Sequence, residues 1–369
     1  MKKTLVAPFL LVLALGLLFA PAASGAKKKT PAPEGPVKIT TAWLPEFEAF
    51  LPWYAKKMGW DKEEGLDLEM LYYGSGEAQL EALAKGEWVL GATDGLTQVL
   101  AALNRDVYLI GLTHDESRAS VIFAQPDNPI FSAEGWNKDF PRVYGAPELI
   151  KGKKALVTMR SPSQYGLAVW LRVFGLKGSD LALEPVDQAM ILDAFDAGRG
   201  DFACIRTPQS YLAEEKGWEI AGNAAACGGR LANTFLGERK FCDKNPGTVA
   251  DFLRVCFRVI HRLAEQGPTP EIVDEYMRFY QEWVGVELTL DMAERDLKLH
   301  PVWPLAEQIK LLRPGRGGEM AGRQGELAEL MTDAGLLTVK ELEKVKDARF
   351  VTDKFLRKVG QVPEDRKEE

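Results

Sequence analysis

Short apolar runs alternate with amphipathic stretches along most of the chain, and this alternation sets the expected order of elements. Residues 37–43, 66–73, 89–93 and 108–113 read as strands bounded by turn-forming residues. Between them, residues 50–64, 76–85 and 95–104 carry the three-and-four spacing of helices. A second series follows, with strands at 120–125, 154–159, 181–186 and 202–205 and helices at 162–174, 190–197 and 208–215. Residues 231–236 read as extended, and from Pro246 onward the pattern is almost wholly helical. Strands alternating with helices predict parallel sheets covered by helices, an α/β architecture. The first unit breaks off before its helices are complete, which predicts a lobe that the chain enters, exits and re-enters.

The first residues have a pattern of their own. Lys2 and Lys3 precede an apolar run over residues 5–20, and Ser24 and Ala26 fit the small-residue positions of a cleavage site. This is the layout of a secretory signal peptide, expected over residues 1–26. The alternative, an uncleaved membrane anchor, calls for a longer apolar core of about 20 residues. No cysteine lies near the cleavage region, so a lipid-anchored form is not expected and the periplasm is the expected destination. Residues 27–36, rich in Lys and Pro, read as a disordered tether. The remaining chain is expected to divide into a first part of lobe 1 (37–116), lobe 2 (117–233), and a return to lobe 1 with C-terminal helices (234–369).

A net charge of −7 argues against a nucleic-acid partner, which calls for a basic surface. The four cysteines, Cys204, Cys227, Cys242 and Cys256, include no CxxC pair. The three histidines, His114, His261 and His300, form no HExxH motif. No metal site or cofactor is therefore expected. An oxidising compartment permits disulfides, and their pairing is left open. Cys256 falls on the apolar stripe of a helix and reads as a small core residue.

Ligands of open α/β sheets bind beyond the carboxyl ends of the strands, where helix N-termini converge. Tyr73 and Ser75 link the second strand to a helix, Thr93 and Asp94 follow the third, and Trp43, Glu46 and Phe47 follow the first. In the second unit Arg160 precedes Ser161-Pro162-Ser163-Gln164, which reads as a capping box, and Arg206 precedes Thr207-Pro208. With His114, Asp187 and Asn233 these residues form the expected ligand site: aromatics, a few placed charges and free backbone N–H groups. The first unit supplies acid and the second base, so a zwitterionic ligand fits, its cationic end toward Asp94 or Glu46 and its anionic end toward Arg160 or Arg206. No nucleophile elbow, Walker A or dinucleotide-binding glycine motif is present, so no catalytic residues are assigned. His114-Asp115-Glu116 reads as a hydrogen-bonded crossover in preference to an acid–base cluster.

Several patterns together carry a family resemblance: the early strand into Trp43; Gly65-Leu66-Asp67-Leu68-Glu69-Met70 leading to Gly74; Gln79-Leu80-Glu81-Ala82-Leu83 before Gly86; Gly91-Ala92; Gly152-Lys153; Ala194-Phe195-Asp196-Ala197-Gly198 with Asp201-Phe202-Ala203; Asn245-Pro246; and Ala348-Arg349-Phe350-Val351. On these the chain resembles the periplasmic substrate-binding proteins of nitrate, sulfonate and taurine ABC importers and of the thiamine-pyrimidine-binding group. The resemblance implies a type II periplasmic-binding fold, two lobes joined by crossings near 114–119 and 233–236 that close like a hinge. It implies a monomeric, non-enzymatic receptor for a small polar solute, with an ABC permease as partner. Where family members often carry an aromatic before the proline of the second lobe, this chain has Arg206 and Thr207. The alternatives are a ligand-sensing partner of a membrane signalling protein and a periplasmic enzyme on the same fold.

Overall fold

The computed structural model describes residues 35–104, 106–315, 318–347 and 349–361. The expected leader and nearly all of the tether lie outside the described residues, as does Ala348. Among the described residues, ten strands form two five-stranded sheets. The first holds β1 (Val37–Trp43), β2 (Leu66–Tyr72), β3 (Leu90–Thr93) and β4 (Val107–Asp115), and the second begins with β5 (Ser120–Ala124). To the second sheet also belong β6 (Lys154–Val157), β7 (Ala182–Pro185), β8 (Phe202–Arg206) and β9 (Glu219–Asn223), and β10 (Ala232–Glu238) returns to the first. The orders are β2-β1-β3-β10-β4 and β7-β6-β8-β5-β9.

Both sheets are mixed, where alternation alone suggested parallel ones. In the first, β1 runs parallel to β2 and β3, while β10 runs antiparallel to β3 and β4. In the second, β6 is parallel to β7 and β8, while β5 is antiparallel to β8 and β9. The antiparallel strands β5 and β10 are the two that enter a sheet directly from the other one. A strand arriving without a helical crossover has no constraint to run parallel. The first crossing, 116–119, lies inside the expected stretch. The second is 224–231, because residues 233–236, expected there, are already paired within β10. The crossings are tied together: Glu116 N–H donates to Leu231 O (2.8 Å), Leu231 N–H to Ser117 Oγ (2.7 Å) and Ala225 N–H to Ser117 O (2.8 Å).

Local sequence explains the elements that position the cleft. β3 is buried throughout, and a Cβ at Gly91 would collide with the backbone oxygen of Ala42, so glycine lets β1 and β3 approach. The first helix is Phe47–Lys57, earlier than the expected 50–64, and Gly59 in the left-handed region (φ 76°) ends that segment before a short turn at Trp60–Glu63. This start makes Glu46 the N-cap and puts Glu48 in the first turn. Of the helices after Pro246, Pro246–Gln266 packs against Phe47–Lys57 and Pro270–Phe279 against both Phe47–Lys57 and Leu290–Leu299, while Glu319–Asp333 touches both Gly95–Asn104 of the first lobe and Pro162–Val173 of the second. All four cysteines are buried as free thiols, so none of the open disulfide pairings forms. Burial pushes each thiol upward, to about 12 for Cys227 and Cys242.

Candidate functional site

The chain past the end of β1 and the end of β8 meet where the two lobes face one another, and at the centre of that meeting is an ion pair. Glu46, at the N-terminus of the helix after β1, accepts from the Arg206 guanidinium at the end of β8 (2.6 Å). Both side chains are largely buried, at 17% and 16% exposure. Burial pushes the Glu46 carboxyl up against the pull of Arg206, while for Arg206 the charge of Glu46 overcomes burial and holds the guanidinium firmly protonated. Two residues along, Glu48 is fully buried, and burial together with the charge of Glu46 drives its carboxyl well above the usual range.

Around this pair lies a group of buried polar atoms without a hydrogen-bond partner in the chain. On the first-lobe side they are Glu46 Oε2, both Glu48 oxygens, Thr93 Oγ1 and both amide atoms of Asn233. On the second-lobe side they are Ser120 Oγ, Ser163 Oγ and Arg206 Nε. Buried polar atoms are nearly always bonded, so a cluster of exceptions at opposed strand ends marks a place built to bond something else. Strand register brings them together: Thr234 beside Asn233 pairs with Thr93 on one side, Asn233 pairs with His114 on the other, and Ser120 pairs with Arg206.

Beneath Glu46 a second network joins β4, the first crossing and the end of Leu290–Leu299. His114 Nε2 and His300 Nε2 lie 2.8 and 3.1 Å from the same oxygen, Glu116 Oε2. Phe47 packs on both imidazoles, with ring centres 4.7 Å from His114 and 5.2 Å from His300. Burial opposes charge on His300, but Asp296 and Glu116 outweigh it and raise its pKa to about 9, whereas burial lowers that of His114. Burial likewise opposes the Glu116 charge, and His300 with the hydrogen bonds holds that carboxyl low. Asp296 receives hydrogen bonds from Tyr211 (3.0 Å) and Tyr276 (2.6 Å). Tyr211 belongs to the second lobe, as does Glu214, whose two oxygens both accept from Arg295 Nη2 (2.9 and 2.7 Å). These contacts close the cleft on one flank.

The remaining expected residues are placed elsewhere or already engaged. Trp43 lies in the core against Phe235 and Phe252, its indole N–H donating to Thr41 Oγ1. Asp94 is an N-cap, with Oδ1 accepting from Leu96 and Thr97 N–H and Oδ2 from the Thr97 hydroxyl. Tyr73 donates to Glu87, Ser75 accepts from Ala78 N–H, and Asp187 is exposed beside Met159 and Met190. Arg160 is 64% exposed and faces Glu77 at 3.9 Å across the lobes. Ser161 caps its helix through Ser163 N–H, but Gln164 accepts from Arg160 N–H, not from Ser161, so the expected capping box is not closed. Arg160 itself is in the left-handed region (φ 55°), and the Gln164 bond holds it there.

Sequence reasoning missed Glu48, Ser120, Tyr211, Asp296 and His300. The i, i+4 spacing of Asp296 and His300 at the end of an amphipathic helix was the available signal. No protein-family model matches the chain. A curated Brachyspira hyodysenteriae protein, named as a candidate ABC transporter periplasmic binding protein, is 24% identical over 69% of this chain and 72% of its own length. In fold, the periplasmic aliphatic sulphonate-binding protein SsuA of Escherichia coli matches with a TM-score of 0.66 and 18% identity, over 84% of this chain and 92% of that one. The periplasmic nitrate-binding protein NrtA of Synechocystis PCC 6803 matches with a TM-score of 0.66 and 14% identity, over 91% of each chain. The chain has the two-lobed fold of periplasmic binding proteins and resembles, in sequence, one of the proteins named for ABC transport.

Proposed function

We propose that this chain is an exported receptor that closes its two lobes on a small polar organic solute and hands it to an ATP-driven importer. The observation that carries this reading is the cluster of buried, unpaired polar atoms where the two lobes meet around Glu46–Arg206. The names of the relative and of the fold neighbours support the transport class, and the leader expected over residues 1–26 supports a periplasmic location. No reaction is proposed.

The atoms left unpaired set the chemistry of the solute. The first-lobe wall offers the unpaired oxygens of the Glu46 carboxylate, the Thr93 hydroxyl and the Glu48 carboxyl, the last holding its proton through burial. The second-lobe wall offers the Ser120 and Ser163 hydroxyls and the Arg206 N–H as donors. A solute carrying an ammonium or amino group at one end and an acceptor or anion at the other satisfies both walls. An aminosulfonate, an amino acid or an aminopyrimidine has this form; nitrate or a plain alkanesulfonate leaves the acids unanswered. Contacts to both walls at once give the differential affinity that closure requires.

The test is the melting temperature of the purified protein against a panel of such amine-bearing solutes beside nitrate and alkanesulfonates. A ligand at a hundred times its Kd adds about 2.7 kcal/mol, a plain upward shift. Stabilisation by an amine-bearing solute supports the reading. Stabilisation by plain anions alone overturns the ligand class, and a flat response across the panel counts against the receptor.

A further inference from the structure

The network beneath Glu46 holds three metal-ligating side chains with their donor atoms converged. His114 Nε2, Glu116 Oε2 and His300 Nε2 all lie within 4.8 Å of one another, on residues that are almost wholly buried. The two nitrogens approach one carboxylate oxygen at 2.8 and 3.1 Å. Donors about 2.0–2.1 Å from a tetrahedral ion stand roughly 3.3 Å apart, so to admit one the two nitrogen–oxygen separations widen by a few tenths of an ångström while the two nitrogens, up to 4.8 Å apart, draw together. The far nitrogens are already fixed. His300 Nδ1 donates to the backbone oxygen of Asp296 (2.8 Å), and His114 Nδ1 bonds the Thr113 hydroxyl (3.1 Å). That outer contact is what orients a metal-ligating imidazole, leaving Nε2 for the ion. Phe47, packed on both rings, limits their rotation.

We propose that His114, Glu116 and His300 form a site for one divalent transition metal ion of the zinc class, pinning β4 and the first crossing to the helix Leu290–Leu299. Two imidazoles and one carboxylate suit zinc and its neighbours and leave one position for a further ligand. The ion takes the place of the protons that now lie between the imidazoles and the carboxylate, so binding releases protons to solvent. The inference does not depend on the receptor reading, because it rests on these three side chains alone. Spacing could not reveal it: the third ligand comes from the C-terminal helices, far along the chain from the first two.

The purified protein, stripped with a chelator, is titrated with Co²⁺ and then Zn²⁺, following the visible absorption of the bound cobalt. One equivalent is expected to bind, and Glu116→Gln and His300→Gln are each expected to weaken it at least about tenfold. The exposed His261, 68% accessible, serves as control: His261→Ala leaves binding unchanged. No saturable binding in the parent protein overturns the site, as does binding retained in both triad variants. Should a variant fail to fold, X-ray absorption on the zinc-loaded parent protein decides. A shell with two imidazoles supports the assignment, and a shell with fewer than two contradicts it.

Discussion

The two walls of the cleft are made from the same local structure, a strand end running into a helix N-terminus, yet their charged residues meet different fates. In the second lobe, Arg206 ends strand β8 and Arg160 follows β6, each a few residues before a helix. Arg206 is buried against Glu46, while Arg160 is mostly exposed and only approaches Glu77. In the first lobe, Asp94 has its carboxylate occupied by three hydrogen bonds of its own helix end, while Glu46 and Glu48 keep oxygens with no partner. A charge beside a helix N-terminus is therefore not a binding group by position alone. It becomes one when the fold buries it and leaves bonding capacity unused.

Substitutions at these positions break or sharpen the contrast. The largest effect is expected at Arg206. Removing one partner of a buried charge pair across an interface costs about 2 kcal/mol or more. Arg206→Ala should therefore weaken solute binding by about thirtyfold or more in calorimetric titration. Asp94→Ala should instead act on stability: losing the N-cap costs about 1 kcal/mol, seen as a lower midpoint in urea, with affinity changed far less than by Arg206→Ala.

Glu48 gives a pH signature. Its carboxyl titrates well above its ordinary value of 4.5 in the fold, so above that pH the unfolded chain gives up a proton that the folded chain retains. Stability then falls as pH rises from about 4.5 toward the folded pKa. Glu48→Gln cannot ionise, so its melting temperature relative to the parent should improve from about pH 5 to about pH 8. An equal difference at both values would mean that Glu48 ionises freely. The smallest effect belongs to Arg160→Ala, an exposed and distant pair, expected to change affinity by less than about threefold.

Much of the scaffold was legible because it depends on local patterning. The alternation of β1 to β4 with helices, the strand end at Arg206 and the crossing after Asp115 all follow from runs of residues close in sequence. β9 (Glu219–Asn223) was missed because its burial is uneven and it carries glycine and asparagine, which lower strand propensity. The direction of β5 and β10 was hidden because pairing is set by where the chain comes from. Glu46, Thr93 and Arg206 were named by the rule that strand ends gather where a ligand would lie, and Asn233 through its expected crossing; all four carry buried atoms without a partner. Trp43 was misplaced by the same rule, since its ring turns back into the core against Phe252. Glu48, Asp296 and His300 were missed because their meaning is tertiary: a buried carboxyl or an imidazole gains its role from neighbours contributed by distant segments.

The central claim is that the two lobes close on a solute held between Glu46 and Arg206. The most direct measurement is small-angle X-ray scattering of the purified protein with and without a saturating stabilising solute. The account predicts a smaller radius of gyration with solute bound, and loss of that compaction in Arg206→Ala at the same solute concentration. Identical scattering with and without saturating solute would contradict closure, and full compaction in Arg206→Ala would contradict the role given to the ion pair.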